Sequence, residues 1–478
     1  MSKEQTDSSR AEKWTFALTV VSLIAGGTVV DGLVDRWSSS PSDDISVASS
    51  SSISMTSTPD EMAPEDVPEF SYVTPSAVYP TTIPGCESVE APEEDSFFSY
   101  ILDGSDTYDD PRFPWFSSAK AAAMSDAVKQ ALPKDVELKF ASPGNSLQFG
   151  PISAPSNTDG LPGGFSLEEL ASTTASGTLI RDGKIGALSL MLHSSSDPIP
   201  SCVAGSLVER RVLADQSVVD LQDTWTETNG VRTLNRSAML YGADGTRIQA
   251  YVNDTNNDGG RDAESSGVVP LTLDELATLV AMPQLLVTTP VPPGTAPLQT
   301  DCGGWADESS GRELDRGIVD ALGDALRSGW HAAAPGAPDL GSQLGDLVLA
   351  ENDTTTACQD LVARSDGNES RLSISITSGQ PLPTPPNKYD PSYDGHPLSM
   401  VTAEDGSVIE RDERHYATVP MTNDGSKAES TQEMSRSVVV TRPNGTQVSV
   451  SSSAAIPNDP MTFEQLEFLA TTEGLEIR

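Results

Sequence analysis

The sequence predicts an α+β protein that contains two copies of one antiparallel β-meander domain, each flanked by helices. A stretch RSAMLYGADGTRIQAYV begins at Arg236, and RSVVVTRPNGTQVSVSS begins 200 positions later at Arg436. Both alternate apolar and polar residues around an Asp-Gly or Asn-Gly, which is a strong signal for a β-hairpin. Pro270 and Pro460 then open PLTLDELATLV and PMTFEQLEFLA. In each, a threonine precedes acidic and leucine-rich residues at helical spacing, which predicts a capped helix.

Length and charge limit the function classes. The chain has 478 residues and a formal net charge of −41, from 70 Asp and Glu against 29 Lys and Arg. A chain of this length is typical of two or three domains. A strongly negative protein repels phosphate backbones, so we expect no nucleic-acid partner.

Residues 14–34 are predicted to form a single transmembrane helix. The segment from Trp14 to Val30, WTFALTVVSLIAGGTVV, has no charge in 17 residues. At about 1.5 Å per residue the stretch covers roughly 25–31 Å, which spans a bilayer. The nearby basic residues precede it, so residues 1–13 would be a cytoplasmic tail and the C-terminal part an ectodomain outside the cell membrane. The alternatives are a cleaved signal peptide, which the sequence fits only in part, and a buried core helix.

Residues 35–84 are rich in Ser, Thr, Pro and acidic residues. Such a composition buries too little apolar surface to offset the entropy of ordering, which predicts a disordered stalk. The two repeats are then expected over residues 85–296 and 297–478, each with an antiparallel sheet of six or more strands and helices against one face.

Each repeat has the same predicted order of elements. In the first, a helix capped by Ser117 or Ser118 runs to Leu132, strands follow from Val136, and a helix follows Thr272. In the second, the opening helix covers Leu314 to Leu326. The predicted hairpin turns are Asp182-Gly183, Ala214-Asp215 and Asp244-Gly245 in the first repeat, and Asp366-Gly367, Asp405-Gly406 and Asn444-Gly445 in the second.

The four cysteines fall two in each repeat, and none belongs to a CxxC motif. This spacing gives no support for a zinc or thioredoxin-type site. If the chain is exported, one disulfide per repeat is expected, Cys86–Cys202 and Cys302–Cys358. Four free thiols are the alternative.

The segment LADQSVVDLQDTWTETNGVRTLNRSAMLYGADGTRIQAYV, with its PLTLDELATLV tail, resembles a module found in membrane-anchored or secreted actinobacterial proteins of unknown function. The second copy keeps DGSVI, RSVVVTRPNGTQVSV and PMTFEQLEFLA, but has His415 in place of Trp225. The resemblance implies export and tandem α+β modules. It implies no chemistry and no catalytic residue.

One acidic loop matches part of a calcium-binding pattern. Asp254, Asn256 and Asp258 stand at positions 1, 3 and 5, a glycine follows at 6, and Asp262 stands at 9. Oxygen ligands at these positions and a sharp turn at the glycine suit Ca²⁺. The bidentate acid expected at position 12 is missing, since Ser265 stands there. The alternative is a surface loop whose Asn, Asp and Gly residues serve only to make turns.

The chain contains no recognisable catalytic motif, so we expect a protein that is not an enzyme. It has only four histidines, among them His396 and His415. A Ser/His/Asp set could be assembled from them only by arbitrary choice. Trp225 is more typical of a core anchor than of a carbohydrate platform.

These observations predict a single-span membrane protein with two non-catalytic modules that bind or sense something outside the membrane. Its partners would be the membrane, through residues 14–34, and an extracytoplasmic protein or a wall component. An extracytoplasmic hydrolase and a structural spacer associated with the cell wall are the alternatives. No cofactor is expected apart from calcium at the acidic loop.

Overall fold

A computed structural model gives the fold as two antiparallel β-sheets, each packed against two helices. Of the described residues, 41% lie in strands and 16% in helices. The described residues are 71–75, 82–91, 102–104, 108–155, 170–256, 265–303, 311–331, 338–341, 343–351, 353–365, 368–385, 399–418 and 430–477.

The helices are α1 (Ser118–Ala131), α2 (Leu273–Val280), α3 (Arg316–His331) and α4 (Phe463–Ala470). The first module contains α1, α2 and the strands β1 (Tyr72–Val73), β2 (Val89–Glu90), β3 (Leu102–Gly104), β4 (Val136–Leu138), β5 (Ser153–Pro155), β6 (Thr173–Arg181), β7 (Lys184–Ser194), β8 (Cys202–Val203), β9 (Leu207–Val212), β10 (Val218–Thr228), β11 (Val231–Tyr241) and β12 (Thr246–Asn253). The second module contains α3, α4 and the strands β13 (Val348–Ala350), β14 (Asp353–Ser365), β15 (Asn368–Thr377), β16 (Ser399–Thr402), β17 (Val408–Thr418), β18 (Thr431–Thr441) and β19 (Gln447–Ala455).

The two main sheets share one strand order. The first reads β4-β6-β7-β12-β11-β10, with β9 and β1 both pairing with β10. The second reads β13-β14-β15-β19-β18-β17-β16. In both, the last strand of the module returns to pair with the strand that ends the first run of neighbours, β12 with β7 and β19 with β15.

This order corrects the predicted meander. A meander pairs only strands that follow one another in the chain, whereas here two meanders are joined by the long-range pairing of the last strand. The predicted α+β class is also wrong, because strand residues far outnumber helical ones and each module has only two helices.

The predicted transmembrane helix has no support in the structure. Among the described residues, no helix has the length and apolar character needed to span a membrane. Residues 14–34 themselves lie outside the described residues. The predicted stalk extends too far, since β1 pairs with β10 and Ile83 is buried, so the folded part begins before residue 85.

The short turns follow from residues that tolerate a positive φ. Asp182 and Gly183, at +52° and +72°, form the two-residue link between β6 and β7. Asn229 and Gly230, at +51° and +81°, do the same between β10 and β11. Asn-Gly and Asp-Gly suit such links because both central residues need this left-handed backbone. The hairpin at Asn229 was not predicted, although its sequence carries the signal.

The helices that close the modules begin in the same way. Thr272 caps α2 and forms a capping box with Glu275, and Thr462 caps α4 and forms one with Gln465. Each box satisfies two amide groups that the first helical turn leaves without partners. These residues confirm the predicted helix starts.

An arginine shared by both copies ties each of these helices to its sheet. Arg236 of β11 donates to the backbone oxygen of Leu271 at 3.0 Å and to Asp223 at 3.3 Å. Arg436 of β18 donates to the backbone oxygen of Pro460 at 3.2 Å and to Glu413 at 2.7 Å. The arginine that opens each repeated sequence therefore fixes the chain where it enters the helix.

Both predicted disulfides are present. Cys86 is bonded to Cys202 and Cys302 to Cys358, across 116 and 56 positions of the chain. The first joins the segment that carries β2 to β8, and the second lies in a small buried cluster with Val348.

The modules contact each other through the segment after β4. β4 ends at Leu138, and Phe140 packs against the core of the second module. The guanidinium group of Arg316 lies 4.6 Å from the centre of the Phe140 ring. The Gly144 amide also donates to Asp301 at 3.1 Å.

We predict that Arg236→Met lowers the free energy of unfolding of the first module by about 1–3 kcal/mol, because it removes donors to a carbonyl and a carboxylate at the helix entry. Urea unfolding followed by circular dichroism measures this. The matched control is Arg112→Met, whose partner Asp110 lies two residues away on the surface. A loss no larger than that of the control would contradict the assigned role of Arg236.

Candidate functional site

A groove of about 190 Å³ lies in the first module between the end of α1 and one side of α2. The buried side chains of Leu271 and Leu279 form its floor. Leu132 and Pro133 line one wall, and Thr278 lines the opposite wall. Most of the surface is apolar, so the groove can hold an apolar group.

The sequence positions Leu132 and Pro133 at the groove by ending α1 at Ala131. Leu132 has left the helical region, with φ −57° and ψ 140°. A residue before proline is pushed out of the α region, and Pro133 has no amide to continue the helix. The chain then turns into β4, and the helix end is left facing α2.

The rim of the groove is acidic. Asp274 and Glu275 of α2 line it. Arg181 binds Glu275 at 2.8 Å and Asp135 at 2.8 Å. Arg211 binds Asp274 at 2.7 Å and, at 2.8 Å, Glu209. The two carboxylates of the rim and two that neighbour it, Asp135 and Glu209, therefore surround two guanidinium groups, and this cluster carries a net negative charge.

The ion pairs keep these carboxylates charged. Hydrogen bonds from Arg181 lower the pKa of Glu275 to about 2. Those from Arg181 and Arg211 likewise lower the pKa of Asp135 and Glu209. Since all three pKa values lie below the usual range, these groups are anionic at neutral pH.

The equivalent helices of the second module carry different side chains at the positions that line this groove. Thr272 and Thr462 cap equivalent helices 190 positions apart. With this offset Thr278 corresponds to Phe468, and both are exposed. The buried residues of the opening helices match with an offset of 198, as the pairs Ala121 and Val319, Met124 and Leu322, and Val128 and Leu326.

The same offset of 198 makes Leu132 correspond to Trp330. The Trp330 and Phe468 rings pack edge to face, with centroids 6.2 Å apart. Two aromatic side chains therefore stand at the positions that align with Leu132 and Thr278, which line the groove of the first module. Aligning the opening helices of the two repeats, as well as the closing helices, could have revealed this difference from the sequence. Of the helices, only the closing pair was aligned in the prediction.

The predicted calcium ligands lie at the end of β12. Asp254 is fully buried, and its carboxylate accepts hydrogen bonds from the Leu234 amide at 2.9 Å, the Ser265 hydroxyl at 2.6 Å and the Gly267 amide at 3.1 Å. Both of its carboxylate oxygens thus bind protein donors that close the base of the loop. Asn256 follows it closely in the chain.

The other two predicted ligands, Asp258 and Asp262, lie outside the described residues. In the part of the chain that the structure describes, no three His, Cys, Asp or Glu side chains are grouped as metal ligands. Calcium at this loop stays a prediction.

The other sequence candidates are scattered. His396 lies outside the described residues, and His415 lies on exposed β17 with Glu413 at 3.7 Å. Trp225 is half-buried on β10, with the Arg232 guanidinium group 3.8 Å from the centre of its ring. His415 and Trp225 lie on strands of different modules.

Sequence reasoning missed a buried polar layer on the other face of the first sheet. Arg210 pairs with Asp220 at 2.6 Å and donates to the backbone of Pro200. Arg247 donates to the backbone oxygen of Asp197, and burial together with Arg247 lowers the pKa of His193 to about 4. These contacts fasten the segment that contains Cys202 to the sheet, which indicates a structural role.

Comparisons with known proteins give no family. No protein-family model matches the chain, and no curated protein matches it. A solved structure, "Crystal structure of MucB in complex with MucA(peri)", aligns at 11% identity and a TM-score of 0.12, over 74% of this chain and 97% of that chain. A likeness this low carries no inference about fold, partner or function.

We predict that Asp254→Asn lowers the free energy of unfolding by about 2–3 kcal/mol, because its amide group would face donors in a buried site. Thermal and urea unfolding measure this, and Asp126→Asn, at an exposed position of α1, is the control. We expect the same loss in 5 mM CaCl₂ and in EGTA. A calcium-dependent rise in melting temperature that disappears in Asp258→Asn would instead support the calcium loop.

Proposed function

We propose that this chain is a non-catalytic binding protein of an oxidising, extracytoplasmic compartment. In this proposal the first module binds a ligand in the groove between α1 and α2, and the second module supports it. The observation that carries the proposal is the difference between the modules, because the aromatic pair Trp330 and Phe468 stands in one copy at the positions that align with Leu132 and Thr278 of the groove in the other.

The chemistry of the groove favours binding over catalysis. Its lining consists of alkyl groups, one threonine hydroxyl and two carboxylates, Asp274 and Glu275. Glu275 is held ionised by Arg181 and also caps its own helix. A carboxylate with a pKa of about 2 is a poor general acid or base at neutral pH, whereas it binds positive charge well.

The disulfides support the compartment. All four cysteines are paired, and such bonds persist in oxidising environments while the cytosol keeps thiols reduced. The Cys86–Cys202 bond also holds the segment that covers the polar face of the first sheet.

We predict that the full chain binds single-ring apolar compounds and that Leu132→Trp/Thr278→Phe abolishes this binding. The double variant copies the aromatic pair of the second module, so it fills the groove with side chains that already fit this frame. Saturation-transfer NMR with toluene and indole measures the binding, and circular dichroism checks the fold.

The matched control is Trp330→Leu/Phe468→Thr, which leaves the first module unchanged and should keep the signal. Equal saturation of both compounds in the wild type and in Leu132→Trp/Thr278→Phe would show that the groove is not the site.

We also predict that the cysteines of the chain in its native cells resist alkylation. A maleimide-polyethylene glycol reagent should add no mass until a reductant is supplied, because both disulfides are formed in the compartment. The chain produced in a reducing cytosol is the control and should be labelled directly. Direct labelling of the native protein would contradict the proposed compartment.

A further inference from the structure

We propose, on the basis of the proposed function, that the ligand is a basic segment of a partner protein. This segment inserts one apolar side chain between α1 and α2 and pairs its flanking Lys or Arg residues with the carboxylates of the rim.

The volume of the groove limits the size of the apolar side chain that the ligand can insert. A dry protein cavity of about 150 Å³ holds one benzene molecule, so the 190 Å³ here suits a single leucine or phenylalanine side chain. The floor leucines, Leu271 and Leu279, are almost fully buried and offer no hydrogen-bond partner from their side chains. An apolar group gains free energy at this floor, while a polar group would lose its hydration.

The carboxylates at the rim of the groove determine which charged groups the ligand should carry. Arg181 and Arg211 each lie between two carboxylates, so their charges are already matched within the protein. The side chains of Asp274 and Asp135 remain 83% and 61% exposed. Asp274 lines the groove, and Asp135 is linked to Glu275 of the rim through Arg181, so both exposed acids can meet cations that flank the apolar residue.

The whole molecule favours the same kind of partner. Its formal net charge of −41 repels anionic ligands and attracts cationic ones before contact. Such long-range attraction raises the rate of encounter and falls with ionic strength. A neutral ring compound would use only the floor of the groove, whereas a basic peptide uses the floor and the rim together.

The test is fluorescence anisotropy of three labelled peptide amides with the full chain. They are Lys-Lys-Leu-Lys-Lys, Lys-Lys-Ser-Lys-Lys and Glu-Glu-Leu-Glu-Glu. We expect the first to bind about tenfold more tightly than the second, since a buried leucine is worth about 1.5 kcal/mol or more. We expect no binding of the third, and about tenfold weaker binding of the first at 500 mM than at 50 mM salt.

Two variants locate the interaction. Leu132→Trp/Thr278→Phe should remove the preference for leucine over serine. Asp135→Asn/Asp274→Asn should weaken the first peptide about three- to tenfold and reduce the salt dependence of its binding. Glu464→Gln is the matched control, because Glu464 stands 190 positions after Asp274 on the equivalent helix of the second module.

The outcomes separate the two proposals. Toluene binding without a preference for the first peptide would overturn this inference and leave the proposed function standing. Equal binding of the leucine and serine peptides would mean attraction by net charge alone, and the inference would fall. If neither toluene nor any peptide binds, both proposals fall.

Discussion

The antiparallel pairing of the last strand of each module with a strand from the first half of its sheet is the constraint on which the rest of the structure depends. In the first module Leu190 lies opposite Ala250, and in the second Ile374 lies opposite Val450. All four residues are buried on the face that the helices cover. A slip of one residue would turn the whole strand over and expose this face to solvent. The register is therefore fixed by burial, and it determines where the following helix enters.

The position of the closing helix follows from that register. Arg236 and Arg436 lie on the strands next to β12 and β19, and each binds a backbone oxygen just before the helix cap. Thr246 and Thr446, at the start of those last strands, accept hydrogen bonds from the Val287 and Ile477 amides beyond the helix, at 2.9 and 3.0 Å. The sheet thus holds the chain on both sides of the helix, and side chains can change on the helix surface without moving it.

Local signals predicted much of this frame, and long-range contacts explain what they missed. The caps at Thr272 and Thr462 and the turn at Asp182 depend on residues a few positions apart, and all three are confirmed. Sequential strands usually pair with one another, so a meander was the natural expectation, and nothing in β12 alone indicates that it pairs with β7.

The same limit applies to the candidate site. Leu132 and Thr278 both line the groove, although they are far apart in the chain. Neither residue belongs to a motif. Asp254 was chosen as a metal ligand from a pattern of acids, but an aspartate that accepts amide hydrogen bonds at the base of a loop has the same local sequence. The cysteines were paired correctly because only one pair falls in each repeat.

The helix pair of the second module gains packing stabilisation that the helix pair of the first module lacks. An aromatic pair such as Trp330 and Phe468 contributes about 0.5–1.5 kcal/mol beyond the area it buries, and Leu132 with Thr278 gives this up. The chain therefore contains both arrangements of this helix pair. The first module, which has the groove, lacks the stabilisation that the aromatic pair provides in the second. The two modules share their fold, and the first lacks packing at one defined place. This pattern is expected where a binding site is kept at a cost in stability.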